Sequence, residues 1–297
     1  TKNNRSMKKI FVPIDFSDTS AHAARFAMKL AQDMDAMVHL FHAYYDPIVD
    51  RELPDYGLGG PTTSVSSTTE AVLHNIEVET QQGMAKLESE LRNDFIEVPL
   101  TSEIVRGFPE VMVPQRAKDV EADLILMGPR QIPRFFKILT GSITAEVIKE
   151  SELPVLVIPE KGDYKAIRNV LFTSSFEESD AEKIQKFNKL FEGTDFKLMV
   201  GFIHDDHGVA YEPEDYGGLR QALMDHIRMR LPELEMEFLA TGDRRLWHGL
   251  NELVENYGAD LLIMTTRHRS FFEGLISPSA TQQMVIKTEK PLLIFHA

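Results

Sequence analysis

Asp123-Leu-Ile-Leu-Met127 returns as Asp260-Leu-Leu-Ile-Met264, and Pro154-Val-Leu-Val-Ile158 returns as Pro291-Leu-Leu-Ile-Phe295, both at an offset of 137 residues. Because no gap opens between the two matches, one unit has been written twice, which is the mark of a tandem repeat. Each phrase is apolar without alternation, as a strand buried on both faces must be. That pattern predicts parallel sheets sandwiched between helices. Further upstream, Ile10-Phe-Val-Pro-Ile-Asp15-Phe-Ser17 pairs with Val170-Leu-Phe-Thr-Ser-Ser175-Phe-Glu177 at an offset of 160. The change of offset places an insertion in the first copy. Residues 45–69, rich in Gly, Pro, Ser and Thr, are its expected position, either as a lid beside a pocket or as a disordered loop.

Both copies alternate strands with helices. In the first, strands are predicted over 9–14, 37–43, 98–105, 123–127 and 155–158, with helices near 69–93, 108–121 and 142–150. Ser17 or Asp18 caps a further helix whose Ala23, Phe26, Ala27, Leu30, Ala31 and Met34 recur at helical spacing. The second copy is expected to repeat this with strands over 169–173, 197–204, 235–241, 261–265 and 292–296. The predicted units are 7–159 and 166–297, joined by a short polar linker at 159–165. Two similar units so closely joined are expected to pack as an intramolecular pseudo-dimer, and a homodimer of the whole chain stays open beside it.

With 297 residues the chain suits two domains, and its 43% hydrophobic and 26% charged content is that of a globular protein. No apolar run is long enough for a membrane span, and residues 1–6 lack the core of a signal peptide. Those six residues, ahead of Met7, are expected to be vector-derived. A net charge of −14 opposes a general nucleic-acid role, because phosphate affinity needs a clustered cationic face. The absence of cysteine excludes disulfides, thiolate metal sites and cysteine nucleophiles, and suits the cytoplasm.

Ligands of open parallel sheets bind beyond the carboxyl ends of the strands, where the winding reverses. Two segments of the first copy suit that position. One is Pro13-Ile14-Asp15-Phe16-Ser17, a strand ending in a carboxylate just before a helix. The other is Met127-Gly128-Pro129-Arg130-Gln131, followed after nine residues by Gly141-Ser142 at a helix start. Glycine admits close approach of an anion, a helix start offers free N–H groups, and Arg130, Arg134 and Lys137 offset phosphate charge. Turn geometry and helix capping explain the same residues without a ligand.

These segments resemble the nucleotide-binding branch of the universal stress protein family, with its Gly-x-x-Gly, nine residues, then Gly-Ser or Gly-Thr, and an aspartate after the first strand. The resemblance implies two tandem open parallel five-stranded sheets of order 3-2-1-4-5, with helices on both faces. It also implies an ATP site, with Mg²⁺ accompanying the nucleotide. Pro13, Ile14 and Ala43 would border the adenine, and Asp15 would lie near base and ribose. Met127, Gly128, Arg130, Gly141, Ser142 and Ile143 would line the ribose and phosphates. Gln131 stands where the second glycine belongs, and Pro129 removes one backbone donor. In the second copy Asp15 becomes Ser175, Gly128 becomes Thr265, Gln131 becomes His268 and Gly141-Ser142 becomes Pro278-Ser279. That copy is expected to be a structural partner, and a different ligand drawn by Arg267, His268 and Arg269 is the rival expectation.

Residues 204–207, His-Asp-Asp-His, have metal-binding residue types, but adjacent side chains rarely converge on one ion, and a solvated loop is the expectation. His39, His42 and His248 are read as core or surface residues. No nucleophile elbow, phosphate loop of the Gly-Lys type or zinc helix occurs. The chain is therefore expected to be a non-enzymatic stress-response or signalling module holding ATP in its first copy. A nucleotide-free interaction scaffold and a weak ATPase are the alternatives.

Overall fold

The computed structural model describes residues 7–44, 67–128, 143–159, 163–204, 216–242, 246–266 and 290–296. The first copy runs β1 (Lys8–Pro13), α1 (Asp18–Met34), β2 (Ala36–Tyr44), α2 (Ser67–Asp94), β3 (Leu100–Arg106), α3 (Pro109–Asp119), β4 (Leu124–Met127), α4 (Ile143–Glu150) and β5 (Val155–Val157). The second runs β6 (Asn169–Thr173), α5 (Asp180–Leu190), β7 (Lys197–His204), α6 (Gly217–Arg230), β8 (Met236–Gly242), α7 (Leu246–Asn256), β9 (Leu261–Thr266) and β10 (Leu292–His296). Residues 67–69 of the expected insertion belong to α2, which begins at Ser67, and 45–66 lie outside the described residues.

The sheet order is β3-β2-β1-β4-β5-β10-β9-β6-β7-β8. Each half therefore has the order 3-2-1-4-5, and within each half every pairing is parallel. The halves meet where β5 pairs antiparallel with β10: Val157 with Leu292, Leu156 with Leu293, Val155 with Ile294. Shifting any of these residues by the 137-residue repeat maps the pairing onto itself. A local two-fold axis therefore passes through the Leu156–Leu293 pair, and the self-complementary contact of a symmetric dimer is made within one chain. The joining strands are sealed on both faces, with Leu156 and Leu293 0% exposed.

Successive side chains along the strands feed two cores. Ile10 and Val12 join α1, α2, α5 and α6 on one face, while Phe11 joins α3, α4 and α7 on the other. Helix α1 starts where expected. Ser17 is its cap, its Oγ accepting from the Ser20 N–H at 3.2 Å, and Ala23, Phe26, Ala27, Leu30, Ala31 and Met34 form the buried stripe. Backbone turns repeat along with the sequence. Phe16 and Phe176 both adopt positive φ, 60° and 58°, at the exits of β1 and β6, and Glu121 and Gly258 do so, 54° and 60°, just before β4 and β9.

Candidate functional site

In the first copy β1 lies between β2 and β4, so the ends of these three strands sit side by side at the point where the winding reverses. Seven of the residues expected at the site lie on these ends and on the start of α4. Pro13 closes β1, and Ile14 continues the ladder by donating to the Phe41 carbonyl at 2.7 Å. Asp15 follows, exposed, and Ala43 and Met127 are buried near the ends of β2 and β4. Gly128 comes next, and Ile143 opens α4, packed against the second core. Arg130, Gly141 and Ser142 lie outside the described residues, as do Pro129, Gln131, Arg134 and Lys137.

Asp15 helps to build the helix start. Its Oδ1 accepts from the Ser17 N–H at 3.1 Å and from Ser17 Oγ at 2.5 Å, and its own N–H donates to Ser20 Oγ at 3.3 Å. The network orients the carboxylate while leaving it at the surface. Gly128 has a packing reason to be glycine: a Cβ there would sit 2.6 Å from Thr19 Cγ2 and 3.3 Å from the Thr19 carbonyl oxygen. Its own carbonyl accepts from Thr144 Oγ1 at 3.4 Å, so this one residue touches the first turns of both α1 and α4.

An aromatic wall at the same strand ends was missed in the sequence. The rings of Phe16 and His42 are 4.6 Å apart, and His42 stacks toward Tyr44 at 6.3 Å. His42 Nδ1 lies 2.6 Å from the Ile14 carbonyl, and Arg106 at the end of β3 donates from Nε to Tyr44 Oη at 2.9 Å. The alternation His42–Ala43–Tyr44 puts both rings on one face of β2, which was legible; their meeting with Phe16 depends on the strand register. His39, by contrast, is a core residue, 9% exposed, with Nδ1 2.8 Å from Thr101 Oγ1. Burial holds its pKa below the ordinary value, against the pull of Glu103.

In the second copy Ser175 and Thr265 occupy the positions of Asp15 and Gly128, so both the carboxylate and the bare backbone are gone; Arg267, His268, Arg269, Pro278 and Ser279 lie outside the described residues. The aromatic wall persists as Phe176, Phe202 and Phe238, with Phe176 4.5 Å from Phe202. Of the residues 204–207 only His204 is described. Among the described residues no three His, Asp or Glu side chains converge as metal ligands, and no helix is long and apolar enough to cross a membrane.

Comparison with known proteins agrees with the duplicated topology. The sequence model of the universal stress protein family matches residues 7–159 and 219–296. A universal stress protein of Methanocaldococcus jannaschii is 30% identical over 151 residues, spanning 51% of this chain and 81% of that protein. A second from the same organism is 29% identical over 161 residues, 52% of this chain and 96% of the relative. The crystal structure of a universal stress protein from Archaeoglobus fulgidus superposes over 97% of this chain and 96% of its own, with a TM-score of 0.65 at 15% identity, a likeness of fold alone.

Proposed function

This chain belongs to the universal stress protein family, and from that premise we propose that it is a non-enzymatic stress-response or signalling module that holds one adenine nucleotide in its first copy. The observation that carries the reading is the juxtaposition, at the carboxyl ends of β1, β2 and β4, of an exposed, pre-oriented carboxylate with an aromatic wall. The donor set suits a nucleoside. Asp15 accepts from ribose hydroxyls, and Phe16, His42 and Tyr44 offer ring faces for a base. Arg130, Gly141 and Ser142 are the residues proposed for the phosphates, with Mg²⁺ accompanying them. The bound nucleotide supplies an occupancy signal and no bond is broken. The proposal includes a cytoplasmic setting and two domains, 7–159 and 166–297, the second serving as the built-in partner of the first.

Calorimetric titration of ATP–Mg²⁺ into the full chain is expected to show saturable binding that Asp15→Ala weakens at least tenfold. Heat that is absent, or unchanged by Asp15→Ala, would overturn the reading. One observation favours the nucleotide-free scaffold instead, namely that Gly128 is accounted for by its packing on Thr19. That reading predicts that Gly141→Asp, which places a carboxylate in the phosphate loop, leaves ligand content and partner capture unchanged. The ATPase alternative requires turnover that Asp15→Ala abolishes; we expect none.

A further inference from the structure

The second copy has a cavity of about 180 Å³ at the carboxyl ends of β6, β7 and β9, the equivalent place to the first copy's site. Its polar lining is four hydroxyls, from Thr173, Ser174, Ser175 and Thr265, and two carboxyls, from Asp180 and Glu177. Leu250 and Met264 supply apolar wall. No cation is among these lining residues, so the described lining does not favour a phosphate.

Differences from the first copy make this chemistry. Ser174 and Asp180 stand where Ile14 and Ser20 stand in the first copy. Ser174 Oγ donates to Asp180 Oδ2 at 2.6 Å, the Glu177 N–H donates to the same oxygen at 3.2 Å, and the Phe176 N–H donates to Ser174 Oγ at 2.9 Å. Asp180 is 1% exposed, and burial pushes its carboxyl above the usual carboxylate range, against the pull of the Ser174 and Glu177 donors. Thr173 Oγ1 donates to the Ile263 carbonyl at 3.1 Å. Thr265 differs from the others: its Oγ1 is buried and has no hydrogen-bond partner among the described residues. A buried hydroxyl left unpaired costs about 1–3 kcal/mol unless a ligand or water pairs with it.

From this lining we infer that the second copy binds a small uncharged ligand bearing neighbouring hydroxyls, of pentose or short polyol size, with Thr265 Oγ1 as a principal contact. Hydroxyls that both donate and accept match a diol, and Leu250 and Met264 suit its C–H faces. A cavity of about 180 Å³ is of the scale of a pentose or short polyol. The inference is independent of the nucleotide reading of the first copy, because it rests on other residues and another ligand.

Equilibrium dialysis of the full chain against labelled ribose tests it. Saturable uptake of one equivalent per chain is expected, undisturbed by excess inorganic phosphate. Thr265→Val and, separately, Ser175→Ala should each weaken it at least tenfold. Thr265→Val removes a hydroxyl without a partner, so its urea midpoint should equal or exceed the wild type's, which separates lost binding from lost folding. Competition by adenosine would identify the ribose of a nucleoside as the ligand, and absence of competition a free sugar or polyol. The inference is overturned by uptake that is absent, displaced by phosphate, or indifferent to both substitutions.

Discussion

Gly128→Ala is the substitution on which the site's two explanations part. The added Cβ would lie 2.6 Å from Thr19 Cγ2, about 1 Å inside ordinary carbon–carbon contact, and 3.3 Å from the Thr19 carbonyl oxygen. Thr19 is in the first turn of α1, where its β-branched side chain has few rotamers to retreat into. Overpacking of this kind costs about 1–3 kcal/mol, so Gly128→Ala should lower the urea midpoint with little change in slope. Thr19→Ser removes the obstructing methyl and should be within about 0.5 kcal/mol of wild type alone. Combined with Gly128→Ala it should restore at least about 1 kcal/mol, a coupling that the double-mutant cycle measures directly. Additive losses, or a Gly128→Ala protein as stable as wild type, would refute the packing account. A stable Gly128→Ala protein that no longer binds ATP would show that the glycine serves the ligand and not the helix.

Three further outcomes are expected of the fold. Leu156→Ala and Leu293→Ala, related by the local two-fold axis, should each cost about 2–5 kcal/mol in urea unfolding and differ from one another by less than either loss. Tyr164→Phe removes the hydrogen bond from Tyr164 Oη to Asp33 Oδ2, 2.5 Å, while keeping the edge contact with Phe26; about 1 kcal/mol should be lost. Burial depresses the pKa values of His39 and His22 below the ordinary 6.5, so the native state favours their neutral forms. The stability they contribute is present above that value and lost as pH falls through the depressed ones. The urea midpoint should therefore drop as pH falls from above 6.5 through the depressed values, and less steeply in His39→Gln, which vacates a position faced by Thr101, Glu103, Lys9 and Arg116.

The fold was legible because burial on both faces leaves a signature that no surface segment mimics: Leu124–Met127 and Leu292–Phe295 are unbroken apolar runs, and both are fully sealed. The joining of the two sheets was half legible. The duplicated Pro154–Ile158 phrase predicts two equivalent edge strands, but only their antiparallel pairing reveals that Leu156 meets its own repeat. At the candidate site, Asp15 is proposed from its place after a strand, and its bonds to Ser17 show a helix-start role. The aromatic wall escaped because Phe16 and His42 are far apart in sequence and are joined only by the register of β1 against β2. Asp180 escaped for a different reason. An acid at a helix start reads as a surface cap, and nothing local announces that this one is buried against Ser174.

The central claim, that one copy holds the nucleotide and the other does not, is tested most directly by the nucleotide content of the purified full chain. Native mass spectrometry, followed by denaturation and analysis of the released small molecules, should find one adenine nucleotide per chain in the wild type, none in Asp15→Ala, and one in Ser175→Ala. No nucleotide in the wild type under saturating ATP, or two per chain, would contradict it.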